Sequence, residues 1–221
     1  MKNTKGRNVR KGRNVVIYKG AKIGKNVVVG DNTILGKPPL LAKTSTLKTT
    51  KYAPLEIGDN TVIGSNAIIM AGTKIGKNSY IADTAFIREN VKVGENCIVG
   101  RGATIENDTV LGNRVKVQAH AYITAWVTIE DNVFIAPCVV TTNDNFMGRT
   151  EKRFALKKGA HIKFGARVGA NSILLPRVVI GREAFVAAGS LVSRDVPDGK
   201  LVMGVPAKVI RDVPAEEFVQ E

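Results

Sequence analysis

The chain has 221 residues, 44% of them hydrophobic and 5% aromatic, and carries a formal net charge of +14. This length suits one elongated domain, the scarcity of rings argues against a thick aromatic core, and two cysteines make no disulfide framework. No apolar run approaches the roughly 18 residues of a spanning helix, so no membrane span is expected.

The opening stretch, MKNTKGRNVRKGRNVV, is basic and lacks the apolar segment of a secretory signal, which makes the cytoplasm the expected compartment. An aliphatic frame with a step of six then begins at Ile17, Ile23, Val29 and Leu35. It breaks over residues 36–56, where Pro38, Pro39 and Pro54 suit a loop and not a ladder. From Ile57 to Ile135 the frame runs without a miss, through Ile63, Ile69, Ile75, Ile81, Ile87, Val93, Val99, Ile105, Leu111, Val117, Ile123 and Ile129. Four places after each comes a small or β-branched residue, such as Thr61, Ala67, Cys97 or Val139, and Gly often follows the aliphatic directly.

A period of six is neither the 3.6 of an amphipathic helix nor the alternation of a half-buried strand. It predicts an all-β, single-domain parallel β-helix spanning residues 1–221, each hexapeptide a short strand plus a corner. Three short faces then enclose a core wide enough for one large aliphatic per face. A second break covers residues 141–160, and the frame resumes at Ile162 and continues to Val192. Both breaks predict surface loops, where sites on rigid scaffolds are commonly found. Residues 206–221 are expected to cap the tube, with helical starts at Pro206-Ala207-Lys208 and at Pro214.

The positive charge gathers at the N-terminus (Lys2, Lys5, Arg7, Arg10, Lys11, Arg13) and in the second loop (Arg149, Lys152, Arg153, Lys157, Lys158). Without an aromatic stacking platform or a nucleic-acid motif, nucleic acid is not the expected partner. A solvated first coil accounts for the first cluster and a small phosphorylated ligand for the second.

The hexapeptide frame, Val186-Ala187-Ala188-Gly189-Ser190-Leu191-Val192, the Arg194-Asp195-Val196-Pro197 turn and Met203-Gly204-Val205-Pro206-Ala207-Lys208 resemble the bacterial hexapeptide-repeat acyltransferases. The resemblance implies a left-handed coil, a homotrimer, and acyl-CoA in the groove between subunits. Within that superfamily, Val117-Gln118, Ile129 to Pro137 and Thr142-Asn143-Asp144 look like the N-acetyltransferases of nucleotide-linked amino sugars. By that match Asn143 and Asp144 lie beside the amine, and acetyl-CoA is the co-substrate, with no metal. Lys208 and Arg211 resemble the end of the groove that meets the nucleotide part of CoA, while Ala188 and Gly189 leave room for its pantetheine arm. Arg149 and Arg153 are candidates for the sugar nucleotide's diphosphate.

The segment Thr141–Asn145 has no His, where the maltose and galactoside O-acetyltransferases carry their base. An alcohol needs such a base, whereas a neutral amine is already nucleophilic and needs mainly alignment. His120, at an outward corner, is a further candidate as base or substrate contact. Trp126 holds the same frame position one face on, which suits a subunit contact or a ligand wall. The alternatives are an acyl-carrier-protein-dependent acyltransferase of the lipid A type, with His120 as its base, and a sugar O-acetyltransferase.

Overall fold

A computed structural model describes residues 8–45 and 51–220. Lys2, Lys5 and Arg7 of the basic start, residues 46–50 of the first loop, and Glu221 lie outside the described residues. Most strands are two residues long and stack into three parallel sheets. One sheet, here the first face, starts at Arg10–Lys11 and has 11 strands among the described residues. The second face has nine, from Val16–Ile17 to Leu191–Val192, and the third has eight, from Lys22–Ile23 to Val179–Ile180. Successive strands in the chain fall on successive faces, and Tyr80 pairs with Ile98, so one coil takes 98 − 80 = 18 residues. The molecule is a three-sided parallel β-helix, consistent with the left-handed form.

The frame residues fill its axis. Ile63, Ile69, Ile81, Ile87, Ile105, Ile123, Ile129 and Ile135 are all buried. Each such burial stabilises by about 1.5–3 kcal/mol against leaving the side chain in water. The small positions are buried as well, and several are polar. Thr61 Oγ1 donates to Gly76 O at 3.1 Å, Ser79 Oγ to Gly94 O at 3.1 Å and Thr109 Oγ1 to Thr124 O at 3.0 Å. Each hydroxyl thus ties one corner to the coil above, which removes the cost of burying it unpaired.

Two backbone requirements explain the corners. Three places after the frame residue the chain turns left-handed, with φ of 57° at Asn60, 57° at Asn66 and 56° at Asn78. Asn fills most of these places because its short polar side chain tolerates that conformation. The Asn amides also form a ladder along one edge, from Asn26 to Asn60 (3.1 Å), Asn60 to Asn78 (3.2 Å) and Asn78 to Asn96 (3.3 Å). The glycine directly after the frame residue answers a different need, since a β-carbon on Gly76 would lie 2.5 Å from Gly94 O.

The coil continues one step beyond the aliphatic series. Thr141 sits fully inward on the strand Val140–Thr141, and its hydroxyl accepts from Thr124 N at 2.8 Å. The two loops leave after Ile34–Lys37 and after Val140–Thr141, and return at Glu56–Ile57 and His161–Ile162. Both therefore emerge at the same edge, where the second face turns into the third.

The cap differs from expectation. The stretch expected to become helical at Pro206-Ala207-Lys208 is a turn and a strand, Lys208–Asp212, antiparallel to Lys200–Met203. Val209 and Ile210 favour extended backbone, and the hairpin gives the last strand of the first face a partner. Among the described residues of the cap, helical structure is confined to the 3-10 turn Ala215–Glu217, with Pro214 as its N-cap.

Candidate functional site

The shared edge differs from the other two in the column directly after the frame residue. Elsewhere that column holds Gly24, Gly58, Gly76, Gly94 and Gly112, then Glu130 and Lys163, on one edge, and Gly30, Gly64, Ala82, Gly100, Gln118 and Ala136 on the other. On the loop-bearing edge it reads Met70, Arg88, Glu106, Thr124, Thr142. Between the two loops this edge carries a large or polar side chain on every coil, where the other two edges hold mostly glycine or alanine. Five strand spacings separate the loop roots on the second face, about 24 Å.

At the upper end, Asn143 and Asp144 root the second loop. Asn143 Nδ2 donates to Ala125 O at 3.4 Å, one coil down, and its carbonyl accepts from Lys158 N at 3.0 Å. Asp144 is fully engaged by its own loop. Its carboxylate accepts from Phe146 N at 2.8 Å, Gly148 N at 3.2 Å and Arg153 Nη1 at 3.1 Å. The Phe146 amide first, then the Gly148 amide and the Arg153 guanidinium, outweigh partial desolvation and hold the Asp144 carboxyl below the ordinary carboxylate range.

Within the expected loop runs a short helix, Lys152–Leu156. Two basic side chains of the loop lie over aromatic rings. Arg153 lies 4.7 Å from the Phe154 ring centroid, and Lys157 lies 4.6 Å from Trp126 and 5.1 Å from Phe154. Trp126 itself occupies a left-handed corner at φ 63°, a poor conformation for a bulky residue. Within the chain it is the platform on which the second loop rests. Arg149 is exposed, so of the two diphosphate candidates Arg153 is tied to Asp144 and Arg149 is not tied through its side chain among the described residues.

Below the loop lies a cluster that no motif in the sequence marks. Arg88 donates to both oxygens of Glu89, at 2.8 and 2.7 Å, and to Glu106 Oε2 at 2.9 Å. Glu89 is only 3% exposed, whereas the Glu106 side chain is 18% exposed. Burial, reinforced by Glu89, pushes the Glu106 carboxyl up against the opposing pull of Arg88. Tyr122 stands on the next coil and is pushed up by burial and by Glu106, while a hydrogen bond with Thr124 opposes. Tyr52, on the returning limb of the first loop, acts electrostatically on Arg88. The signal available in the sequence was a column between the loops, Met70 to Thr142, without a single Gly or Ala.

His120, Ala188 and Gly189 lie on a different edge, where the first face turns into the second. The His120 ring occupies the space that a side chain on Gly102 would fill. Gly189 has φ 72° and open space beside it, and Ala188 is exposed. Lys208 and Arg211 are exposed on the terminal hairpin, with Arg211 Nη1 donating to Asp212 O at 2.9 Å. One chain thus gathers Asn143, Asp144, Arg149 and Arg153 and leaves the other five candidates elsewhere. His161 is held by Glu130, 2.7 Å from Nε2, away from these groups. Among the described residues no group of three or more His, Cys, Asp or Glu is placed to hold a metal ion, and no helix is long and apolar enough to cross a membrane.

A three-sided coil of hexapeptides with loops extruded from one edge defines the hexapeptide-repeat class of β-helix. Residues 52–153 match the GMPPB C-terminal domain model, and residues 165–194 match the hexapeptide repeat of succinyl-transferase. Over these two segments the chain is similar to hexapeptide-repeat proteins. Over 60 residues it is 48% identical to the bifunctional protein GlmU of Rubrobacter xylanophilus, covering 27% of this chain and 13% of that protein. Over 93 residues it is 36% identical to the galactoside O-acetyltransferase of Escherichia coli, covering 39% of this chain and 44% of that protein. The chain therefore spans less than half the length of these curated relatives. The solved UDP-N-acetylglucosamine acyltransferase from Campylobacter jejuni has a TM-score of 0.51 at 19% identity, over 91% of this chain and 74% of that one, a likeness of fold.

Proposed function

We propose that the protein is an acetyl-CoA-dependent N-acetyltransferase acting on the amino group of a nucleotide-linked amino sugar. The observation that carries the reading is Thr142-Asn143-Asp144 at the root of the second loop, with no His between Thr141 and Asn145. A relative that acetylates a galactoside hydroxyl shares the coil. An amine needs no strong base to attack a thioester, so a loop without His suits amine acceptors. Asn143 and Asp144 order the loop that aligns the amine, and alignment contributes up to about 7–11 kcal/mol. Exposed Arg149 is free to meet the diphosphate, and Arg153 joins it when its pair with Asp144 loosens.

The open space beside Gly189 and the basic hairpin bearing Lys208 and Arg211 support a groove for acetyl-CoA. The separation of these groups and His120 from the second loop supports a homotrimer, in which a neighbour brings the two edges together. Free-thiol release tests the reading, with acetyl-CoA and a panel of uridine-, thymidine- and guanosine-diphosphate-linked amino sugars beside their hydroxyl counterparts. Turnover with the amines alone is expected. Turnover with hydroxyl acceptors alone, or with none, overturns it.

A further inference from the structure

The Asp144 carboxylate accepts three hydrogen bonds from its own loop, which lower its basicity. An amino sugar near neutral pH is largely an ammonium ion, and it must lose a proton before its nitrogen can attack. The nearest carboxylate in the column from Met70 to Thr142 is Glu106, in line with Thr142 and two coils beneath it, about 10 Å along the edge. Asn143 already reaches the intervening coil through Ala125 O.

Glu106 and Glu89 share Arg88 unequally. Glu89 takes two of the guanidinium's hydrogen bonds with both of its oxygens and is buried. Glu106 takes one, through Oε2, and its Oε1 accepts no hydrogen bond among the described residues. Two carboxylates on one guanidinium leave one negative charge uncompensated, and the partly exposed member is the one that can meet a ligand. The titratable groups facing it are Arg88, Glu89 and Tyr122. From this geometry we infer that Glu106 Oε1 pairs with the acceptor's ammonium group and takes its proton.

The step balances as follows. R–NH3+ gives one proton to the Glu106 carboxylate, leaving R–NH2 and the neutral acid. The nitrogen lone pair then forms the C–N bond at the thioester carbonyl. Collapse of the tetrahedral adduct breaks the C–S bond, and the sulfur leaves with the electron pair and takes the second nitrogen proton as free thiol. Glu106 returns its proton to solvent. Burial of Glu106 places its carboxyl nearer to neutrality, as a base working at that pH requires.

This inference rests on the amine-acetylation reading, and the test separates the two. The full chain is assayed with acetyl-CoA and whichever sugar of the panel turns over, as wild type, Glu106→Gln, Glu106→Asp and Asp144→Asn, each checked by circular dichroism. Glu106→Gln is expected to lower kcat/KM at neutral pH by about 100-fold or more. Its pH profile should rise only towards the acceptor amine's own pKa, and meet wild type at alkaline pH where the amine is already free. Glu106→Asp should keep the wild-type profile at reduced rate, which a purely structural role for Glu106 does not produce. A Glu106→Gln rate close to wild type with an unshifted profile overturns the inference and leaves amine acetylation standing. Failure of every amine to turn over while acetyl-CoA binds overturns both.

Discussion

Arg153 Nη1 lies 3.1 Å from Asp144 Oδ2, so the extruded loop is clasped at its root by a residue of its own helix. The pair is partly buried, with Asp144 also capping Phe146 and Gly148, and its role is to hold a shape. Asp144→Ala is expected to open the loop to limited proteolysis between residues 145 and 158. Turnover should fall by about 100-fold through misplacement of the acceptor. His161→Ala, which removes a contact to Glu130 on the opposite side of the third face, should change turnover far less.

The same pair sets an acid limit. The folded carboxyl of Asp144 lies below its ordinary value, chiefly through the Phe146 amide. A depressed pKa contributes stability that is fully present above the unfolded value of about 3.9 and is lost as pH falls through the folded one. Trp126 is the single tryptophan and lies under Lys157, so its fluorescence reports the loop. Emission should stay constant from neutrality down to the ordinary carboxylate range and change below it. In Asp144→Asn that acid transition should be absent.

Trp126 combines an unfavourable backbone with a contact to the second loop. Replacing it by Asn, the usual occupant of such corners, relieves about 1 kcal/mol of left-handed strain. It also removes cation–π support of about 0.5–1 kcal/mol from the loop. Trp126→Asn should therefore leave the midpoint of denaturant unfolding equal or higher, while proteolysis of the second loop accelerates. A fall in both would mean that the ring supports the coil itself.

Two glycines separate packing from backbone. A methyl on Gly76 meets the Gly94 carbonyl, and Gly76→Ala should destabilise by about 1–3 kcal/mol in denaturant titrations. A methyl on Gly189 meets nothing within 4 Å, so the cost there is that of a left-handed alanine, about 1 kcal/mol. If acetyl-CoA passes beside Gly189, its KM should rise in Gly189→Ala and not in Gly76→Ala.

The axis of the molecule was legible because a narrow tube leaves no freedom in what points inward, and Ile57 to Ile135 record it one face at a time. The aliphatic series ends at Ile135 because the next inward residue, Thr141, is polar, and Thr141 continues the column through hydrogen bonds to Thr124 and Tyr122. Asn143 and Asp144 were legible as a loop root by resemblance. The use of Asp144 as a clasp was not, because it depends on Arg153, nine residues on, folding back. Arg88 and Glu106 are 18 residues apart and touch only because one coil stacks on the next. Pro206-Ala207-Lys208 read as a helical start because its propensity is ambiguous, and the unpaired edge of Lys200–Met203 decided for a strand.

A rise of one strand spacing per 18 residues makes the distance between the two projections a counted quantity. Deleting or duplicating a whole turn from the run between Ile69 and Ile135 would leave every hydrocarbon facing the axis and every corner in phase. The span available to an elongated occupant would shorten or lengthen by about 4.8 Å at a time. The reach along this edge is therefore something the architecture can change by recombination without disturbing its axis.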